Sequence, residues 1–314
     1  MSRVAIIGPG RVGTAVALGL QHAGHTIVAV AGSSDPPLDS TRSGPNPHMR
    51  GSGPDRATIS ASLARFRRLL PDVPVTAATA APADADLVVV ATPDDALAQV
   101  AGQIALAEAV QPGQRWVHLA GAHGPEVLGP ITAAGGRVAA CHPAMTFPDP
   151  QTGFERLPGT SWAVTADPDD LDWARLLVVD LRGSPVTVAG SNRTLYHAGL
   201  AVGSNGTTAV VTMARDLLLG AGIDDPSAFL TPLVAASAEG GATSGVAALT
   251  GPIRRGDEAT VAGHLQELRT SFPEAVQSYV ALGRLILGHA ARAGLADDRI
   301  AAVRTVLDRA THPR

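Results

Sequence analysis

The sequence predicts an α/β protein, a doubly wound sheet followed by an all-α C-terminal domain. Three observations carry this. The chain opens with a strand, a glycine loop, a helix and a second strand. Further strand-like runs recur, mostly with helical stretches between them, up to about residue 190. From Asn192 onward the strand signals stop and Ala- and Leu-rich helical segments take over.

Taken in order, residues 3–8 read as a buried strand, 11–23 as a helix and 26–32 as a second strand, a βαβ unit that requires a right-handed crossover. Residues 33–55 are rich in Pro, Gly and Ser without periodicity and are expected to form a long exposed loop. A helix is expected from near Arg56 to about Leu70. Strands are expected at "DLVVVAT" (86–92), "RWVHLAG" (115–121), "RVAACHP" (137–143), "SWAVTA" (161–166) and "PVTVAG" (185–190). The domains then divide as 1–190 and 191–314, and no internal repeat is present.

A chain of 314 residues is long enough to bury two cores. With 45% hydrophobic and 17% charged residues, and no apolar run of membrane-spanning length, a soluble protein is expected. The first residues lack the pattern of a signal peptide, and Cys141 is the single cysteine, so a cytoplasmic location is expected and no internal disulfide can form. A net charge of −4 without a basic run gives no electrostatic reason to bind nucleic acid. All basic residues are arginine. With no lysine in the sequence, Schiff-base chemistry, a lysine general acid and a P-loop lysine are excluded.

Gly8, Gly10 and Gly13 stand in "GPGRVG" directly after the first strand. There the first glycine permits a tight turn, the second lets backbone approach a pyrophosphate, and the third lets helix pack on strand. The amides of the helix start, at Arg11, Val12 and Gly13, then face the phosphates. The plain alternative is a glycine-rich turn without a ligand, but the strand–loop–helix context favours a Rossmann-type dinucleotide site. The second strand ends "VAVAGSSD", without an acid at its tip to hold a ribose 2′-hydroxyl. Ser33 and Ser34, with Arg42, Arg50 and Arg56 beyond, suit a 2′-phosphate, so NADP is expected, with Asp35 keeping NAD possible. At the end of the fourth run, Thr92 and Pro93 are expected to line the cofactor, while Asp94 and Asp95 read better as caps of the following helix.

His118 and His142 end two sheet strands, and His197 opens a long helix. The histidines lack metal-ligand spacing and carboxylate partners, so no metal site is expected. Cys141 and His142 are neighbours on one strand and point to opposite faces, which leaves Cys141 a buried structural thiol. Counted along one α-helix, His197, Ala201, Ser204 and Asn205 share a face. Packing suffices to explain Ser204; His197 and Asn205 are assigned to the site.

The glycine loop followed by "ATPDDAL", "HLAGAHGPEVL", "CHPAMTF", "RTLYHAGLAVGSN" and "LTGPIRRGD" resembles, over nearly the whole chain, the Rossmann-like family whose C-terminal half is a domain of unknown function, DUF2520. That family is similar in build to the group containing 6-phosphogluconate, 3-hydroxyisobutyrate and ketopantoate dehydrogenases and pyrroline-carboxylate reductase. The resemblance implies NAD(P) on the N-terminal domain, substrate against a helical C-terminal domain, and a homodimer. The sequence departs from it in three places. Ala201 stands where the hydroxyacid dehydrogenases carry a lysine four residues before the asparagine, here Asn205. The segment His118-Leu119-Ala120-Gly121 lacks the serine common in the closer family, and Arg193 stands where a lysine is expected.

Together these expectations describe an NAD(P)H-dependent oxidoreductase that transfers hydride to a small keto acid, with a ketopantoate-like substrate implied by the family likeness alone. His197 is the expected proton donor, with His142 next and Tyr196 third, and Asn205 holds the substrate oxygen. His118 is expected at the substrate, and Arg254 or Arg255 of "GPIRRGD" is the candidate carboxylate clamp, against the plain reading of a helix-capping turn. The alternatives are an imine- or pyrroline-type reductase and a non-catalytic NADP-binding protein.

Overall fold

A computed structural model describes residues 1–32 and 60–311. The contacts expected to a 2′-phosphate, from Ser33, Ser34 and one of the loop arginines Arg42, Arg50 and Arg56, lie outside the described residues, as does Asp35. The chain forms two compact units, Met1–Val202 and Gly203–Arg314.

The first unit contains β1 (Arg3–Ile7), α1 (Arg11–His22), β2 (Thr26–Ala31), α2 (Ala61–Leu69), β3 (Leu87–Val90), α3 (Leu97–Leu106) and β4 (Arg115–His118). It continues with α4 (Gly129–Ala133), β5 (Arg137–Pro143), α5 (Pro150–Arg156), β6 (Ser161–Ala166), α6 (Leu171–Asp180), β7 (Ser184–Thr187) and α7 (Arg193–Ala201). The strands form a single seven-stranded sheet in the order β2-β1-β3-β4-β5-β6-β7. The first five run parallel, as the apolar runs predict; β6 pairs antiparallel with β5, and β7 pairs parallel with β6.

Alternation of side chains along the strands gives the sheet two buried faces. Val4, Ile6, Val89 and Val117 pack with Val16 and Leu20 of α1 and Trp173 and Leu177 of α6. Ala5, Ile7, Val88, Val90 and Trp116 pack with Leu97 and Ile104 of α3 and Ile131 of α4. Cys141 is fully buried on the α6 face, and burial pushes its thiol up to about 12. The thiol therefore stays protonated and serves as an apolar filler.

The chain leaves β1 for β2 on one side and returns to β3 on the other. This reversal opens a crevice beyond the carboxyl ends of β1 and β3, the position at which doubly wound sheets bind ligands.

The composition changes near residue 190, whereas the first compact unit runs on to Val202. The difference is α7, whose Arg193 side chain is completely buried against the ends of β4 and β6. After α7, Val202–Gly206 forms a π-helical turn. Its wider turn breaks the α-helical count from His197 to Ser204 and Asn205, so the single stripe expected of an unbroken helix does not extend through it. The hydroxyls of Thr207 and Thr208 bond the Gly203 and Ser204 carbonyls, two of the backbone acceptors within this turn.

The second unit contains α8 (Thr207–Gly220), α9 (Pro226–Ser244), α10 (Pro252–Arg255), α11 (Glu258–Ser271), α12 (Val276–Arg292) and α13 (Asp297–Thr311). Its core is built from Ile253, Val261, Leu265, Val280, Leu287, Val303 and Leu307. Among the described residues, no helix is long and apolar enough to cross a membrane.

Candidate active site

The three glycines of the first loop are required for different reasons. Gly8 sits at φ +99°, and a Cβ there would lie 2.6 Å from the Ala91 backbone at the end of β3, so both conformation and close approach demand glycine. A Cβ on Gly13 would lie 2.2 Å from the Gly8 carbonyl oxygen, which fixes how closely α1 packs on the loop. Gly10 differs from both. Its backbone is extended, and among the described residues nothing lies within 4 Å of where its Cβ would be. Packing among the described residues does not account for this glycine, and the space over its backbone is open.

Two further features point into the same crevice. The first turn of α1 carries no acidic residue and its N-cap makes no side-chain bond, which leaves the amides at the positive end of the helix free for an anion. The Thr92 hydroxyl, just beyond β3, is buried without a hydrogen-bond partner among the described residues. An orphaned donor beside an open backbone cradle suits the phosphates of a dinucleotide. Pro93 is exposed and begins a short 3₁₀ turn. Asp94 and Asp95 lie in that turn without any capping hydrogen bond, so the capping expected of them is absent, and only their charge stands near the start of α3.

Next to this crevice, β4, β5 and α7 bring His118, His142, Arg193, Tyr196 and His197 together. The ring of His142, at the end of β5, meets the Tyr196 hydroxyl through Nδ1 at 2.9 Å. It also lies edge-on to the Tyr196 and His197 rings, each 5.8 Å away between centroids. Gly121 makes room for this group, because a Cβ there would lie 2.4 Å from Cδ2 of His197 and 3.1 Å from Nε2 of His142. Among the described residues, His197 has no hydrogen-bond partner that fixes its ring.

His118 lies beneath the others and is fully buried. Its Nε2 faces the Gly124 carbonyl at 3.0 Å and so carries the proton; its Nδ1 accepts from the Ala120 amide at 3.3 Å. Both nitrogens are committed to the loop after β4, so this ring shapes the site from below and has no group left to offer a substrate. Burial, and to a lesser degree the Arg193 charge, lowers the His118 imidazole to about 4. The same causes, in the same order, lower His142 to about 4.

A pH dependence follows. Unfolded imidazole titrates near 6.5, so between about pH 6.5 and 4 the unfolded chain binds protons that the folded chain refuses. Stability present above that window is lost as pH falls through it. The denaturation midpoint is expected to drop across this range, and His118→Gln is expected to make the drop shallower. An equally steep fall in that variant would show that His118 is not held neutral.

Arg193 completes the group. Its Nε donates to the Gly121 carbonyl at 3.1 Å, Nη2 to the Ala120 carbonyl at 2.7 Å, and Nη1 to the Ala163 carbonyl at 3.3 Å and the Thr165 hydroxyl at 3.1 Å. Its guanidinium carbon stands 5.9 Å from the centre of the Tyr196 ring. The Tyr196 phenol is pushed up by burial and pulled partly back by this cation. The remaining expected site residues, Asn205, Arg254 and Arg255, belong to the second unit. There Arg254 donates to the Ala293 carbonyl at 3.1 Å and Arg255 is exposed at the end of α10.

Residues 55–143 match a family model described as a Rossmann-like domain, and residues 160–286 match the domain of unknown function DUF2520. No curated protein matches the chain. Among solved structures, a Bacteroides fragilis protein described as a candidate NADP oxidoreductase is similar at a TM-score of 0.69 and 21% identity, over 91% of this chain and 98% of that one. The reductive aminase from Aspergillus terreus, in complex with NADPH and ethyl levulinate, is similar at 0.54 and 15%, over 99% and 94%. A pyrroline-5-carboxylate reductase from Coxiella burnetii is similar at 0.51 and 14%, over 99% and 97%. At these identities the likeness is one of fold.

Proposed function

We propose that this chain is an NADPH-dependent oxidoreductase that reduces a C=O or C=N bond of a small molecule, a small keto acid being the substrate the sequence favours. The observation that carries the reading is an open backbone cradle at Gly10, after β1, together with an oriented hydroxyl at Tyr196, held by His142 at the carboxyl end of β5 of the same sheet. The cradle, the Thr92 hydroxyl and the start of α1 would hold the pyrophosphate. Bound NADPH supplies the hydride. The protein has to supply a proton to the atom that receives the bond electrons.

Three side chains compete for that role. His142 stays neutral at working pH and cannot serve as an imidazolium acid. His197 has no partner to aim it. The Tyr196 phenol keeps its proton and is aimed by His142, so it is the donor in this reading, with His142 as the group that orients it and His197 as a wall of the site. Likeness in fold to a reductive aminase seen with NADPH and ethyl levulinate and to a pyrroline-5-carboxylate reductase supports a reductase and keeps the imine reading alive beside the carbonyl one. The reading also includes a homodimer. No residue of α8 is buried, α9 buries only Pro226 and Leu230, and Val210, Phe229 and Leu233 stand exposed. Sedimentation of the intact chain would read its mass directly.

The cofactor is tested by comparing melting-temperature shifts with NADPH and NADH at equal concentration. The strand before Ser33 and Ser34 ends in Ala31-Gly32 without an acid, and the larger shift is expected with NADPH. A larger shift with NADH would reverse the assignment, and no shift with either would remove the cofactor altogether.

A further inference from the structure

Resting on that reading, we infer that the site is built for a neutral carbonyl whose oxygen gains negative charge, and disfavours a cationic iminium, because Arg193 sets a buried guanidinium, bonded only to neutral acceptors, over the ring of Tyr196.

The Arg193 side chain is 0% exposed, yet every one of its hydrogen bonds goes to a neutral acceptor, three backbone carbonyls and the Thr165 hydroxyl. A buried cation normally stands against a carboxylate, since an isolated one forfeits its hydration for nothing. Here the hydrogen bonds satisfy its geometry and leave its charge unneutralised. The titratable groups that face it add no negative charge at neutral pH. They are His118 of β4, Cys141 and His142 of β5, and Tyr196 of α7. Glu126, the one carboxylate that acts on Arg193 and His118 among the described residues, is exposed and accepts from the Gly124 amide. The Tyr196–His142 pair therefore sits in a positive field, strengthened by the low polarity around it.

This field has opposite consequences for the two substrate classes. In carbonyl reduction the carbon receives a hydride from the reduced cofactor, which is oxidised. The C=O π pair moves to oxygen, and that oxygen takes the proton of Tyr196. Negative charge passes from the oxygen to the phenol, both within reach of the Arg193 field, and solvent then returns the proton to Tyr196. An iminium carries its positive charge into the site before reaction and loses it afterwards. The guanidinium opposes its entry, and the discharge that follows hydride addition only returns what entry cost, so relative to free substrate the field gives an iminium no net gain.

Two measurements test the inference. With the chain saturated in NADPH, small ketones and 2-keto acids are compared with cyclic imines of matched ring size, at a pH where the imines are protonated. The carbonyl set is expected to turn over at least tenfold faster. Faster turnover of the imines overturns the inference and leaves the reductase reading standing; bound NADPH without turnover of either set overturns the reductase reading and the inference with it. The second measurement needs no substrate. Tyr196 and Tyr279 are the two tyrosines of the chain, so in a Tyr279→Phe background the ultraviolet absorbance of tyrosinate reports Tyr196 alone. Adding Arg193→Met is expected to raise the titration midpoint by about one pH unit or more, and Arg193→Lys to raise it less. An unmoved midpoint in folded Arg193→Met overturns the inference. Should that variant fail to fold, the ring resonances of His142 in the unaltered chain decide. They are expected to remain those of neutral imidazole down to pH 5, and protonation above pH 6 overturns the inference.

Discussion

Gly10→Val is expected to fold, with about 1 kcal/mol lost at the N-cap of α1, and to lose the thermal stabilisation that NADPH confers. Gly10 sits at φ −71° and ψ −170°, extended backbone that valine adopts readily, and among the described residues no atom lies within 4 Å of the added Cβ. The variant thus adds a side chain to space that is open among the described residues and that, in the proposed reading, a pyrophosphate would fill. A ligand at a hundred times its dissociation constant stabilises a fold by about 2.7 kcal/mol. That contribution should shrink toward zero in the variant, through a loss of affinity of tenfold or more. The neighbouring glycines supply the contrast: substitution at Gly8 or Gly13 drives a side chain into Ala91 or into the Gly8 carbonyl and should lower the melting temperature without any cofactor present. An undiminished NADPH shift in folded Gly10→Val would mean that the loop is a structural turn with no nucleotide over it.

The difference between these glycines illustrates what a sequence can disclose. Their spacing marks the loop because each requirement is local, a turn, an approach or a packing contact within a few residues of the strand. The parallel strands are legible for a similar reason, since burial on both faces turns them into continuous apolar runs. The candidate site is another matter. Its central bond joins His142 and Tyr196 across 54 positions of sequence, and no periodicity reports such a distance. Nor does composition show that Arg193 is buried, because arginine is so seldom enclosed; its enclosure follows from backbone carbonyls that converge only after β4 and β6 are placed. The helix from His197 to Asn205 reads as one amphipathic stripe until the π turn at Val202–Gly206 interrupts it, and nothing in the residue types forces that turn. His118 shows the same limit. A histidine at a strand end reads as a site residue, and only the two hydrogen bonds to its ring reveal a structural post.

Tyr196→Phe is expected to lower turnover by roughly 10² to 10⁴-fold, the range that general acid catalysis contributes, while NADPH binding and the melting temperature stay near their native values. The ring remains to pack against Arg193 and His142, so the variant deletes one oxygen and its proton. What it leaves is His142 without a partner at Nδ1, in a ring that is already neutral near pH 7 and has no proton of sufficient acidity to give. His197→Gln tests the competing assignment in the same assay. If Tyr196 is the donor, loss of the His197 imidazole disturbs only the wall of the site, and its effect should fall well short of that of Tyr196→Phe. The pair of variants is informative because the two residues are adjacent on α7, so a general disturbance of the helix would reduce both alike, whereas a difference isolates the proton. A larger loss in His197→Gln than in Tyr196→Phe would return the donor to the imidazole and assign the hydroxyl to substrate binding. Near-native turnover in both would leave ordered water as the remaining acid, and the bond between Tyr196 and His142 would then serve to hold α7 on the end of β5.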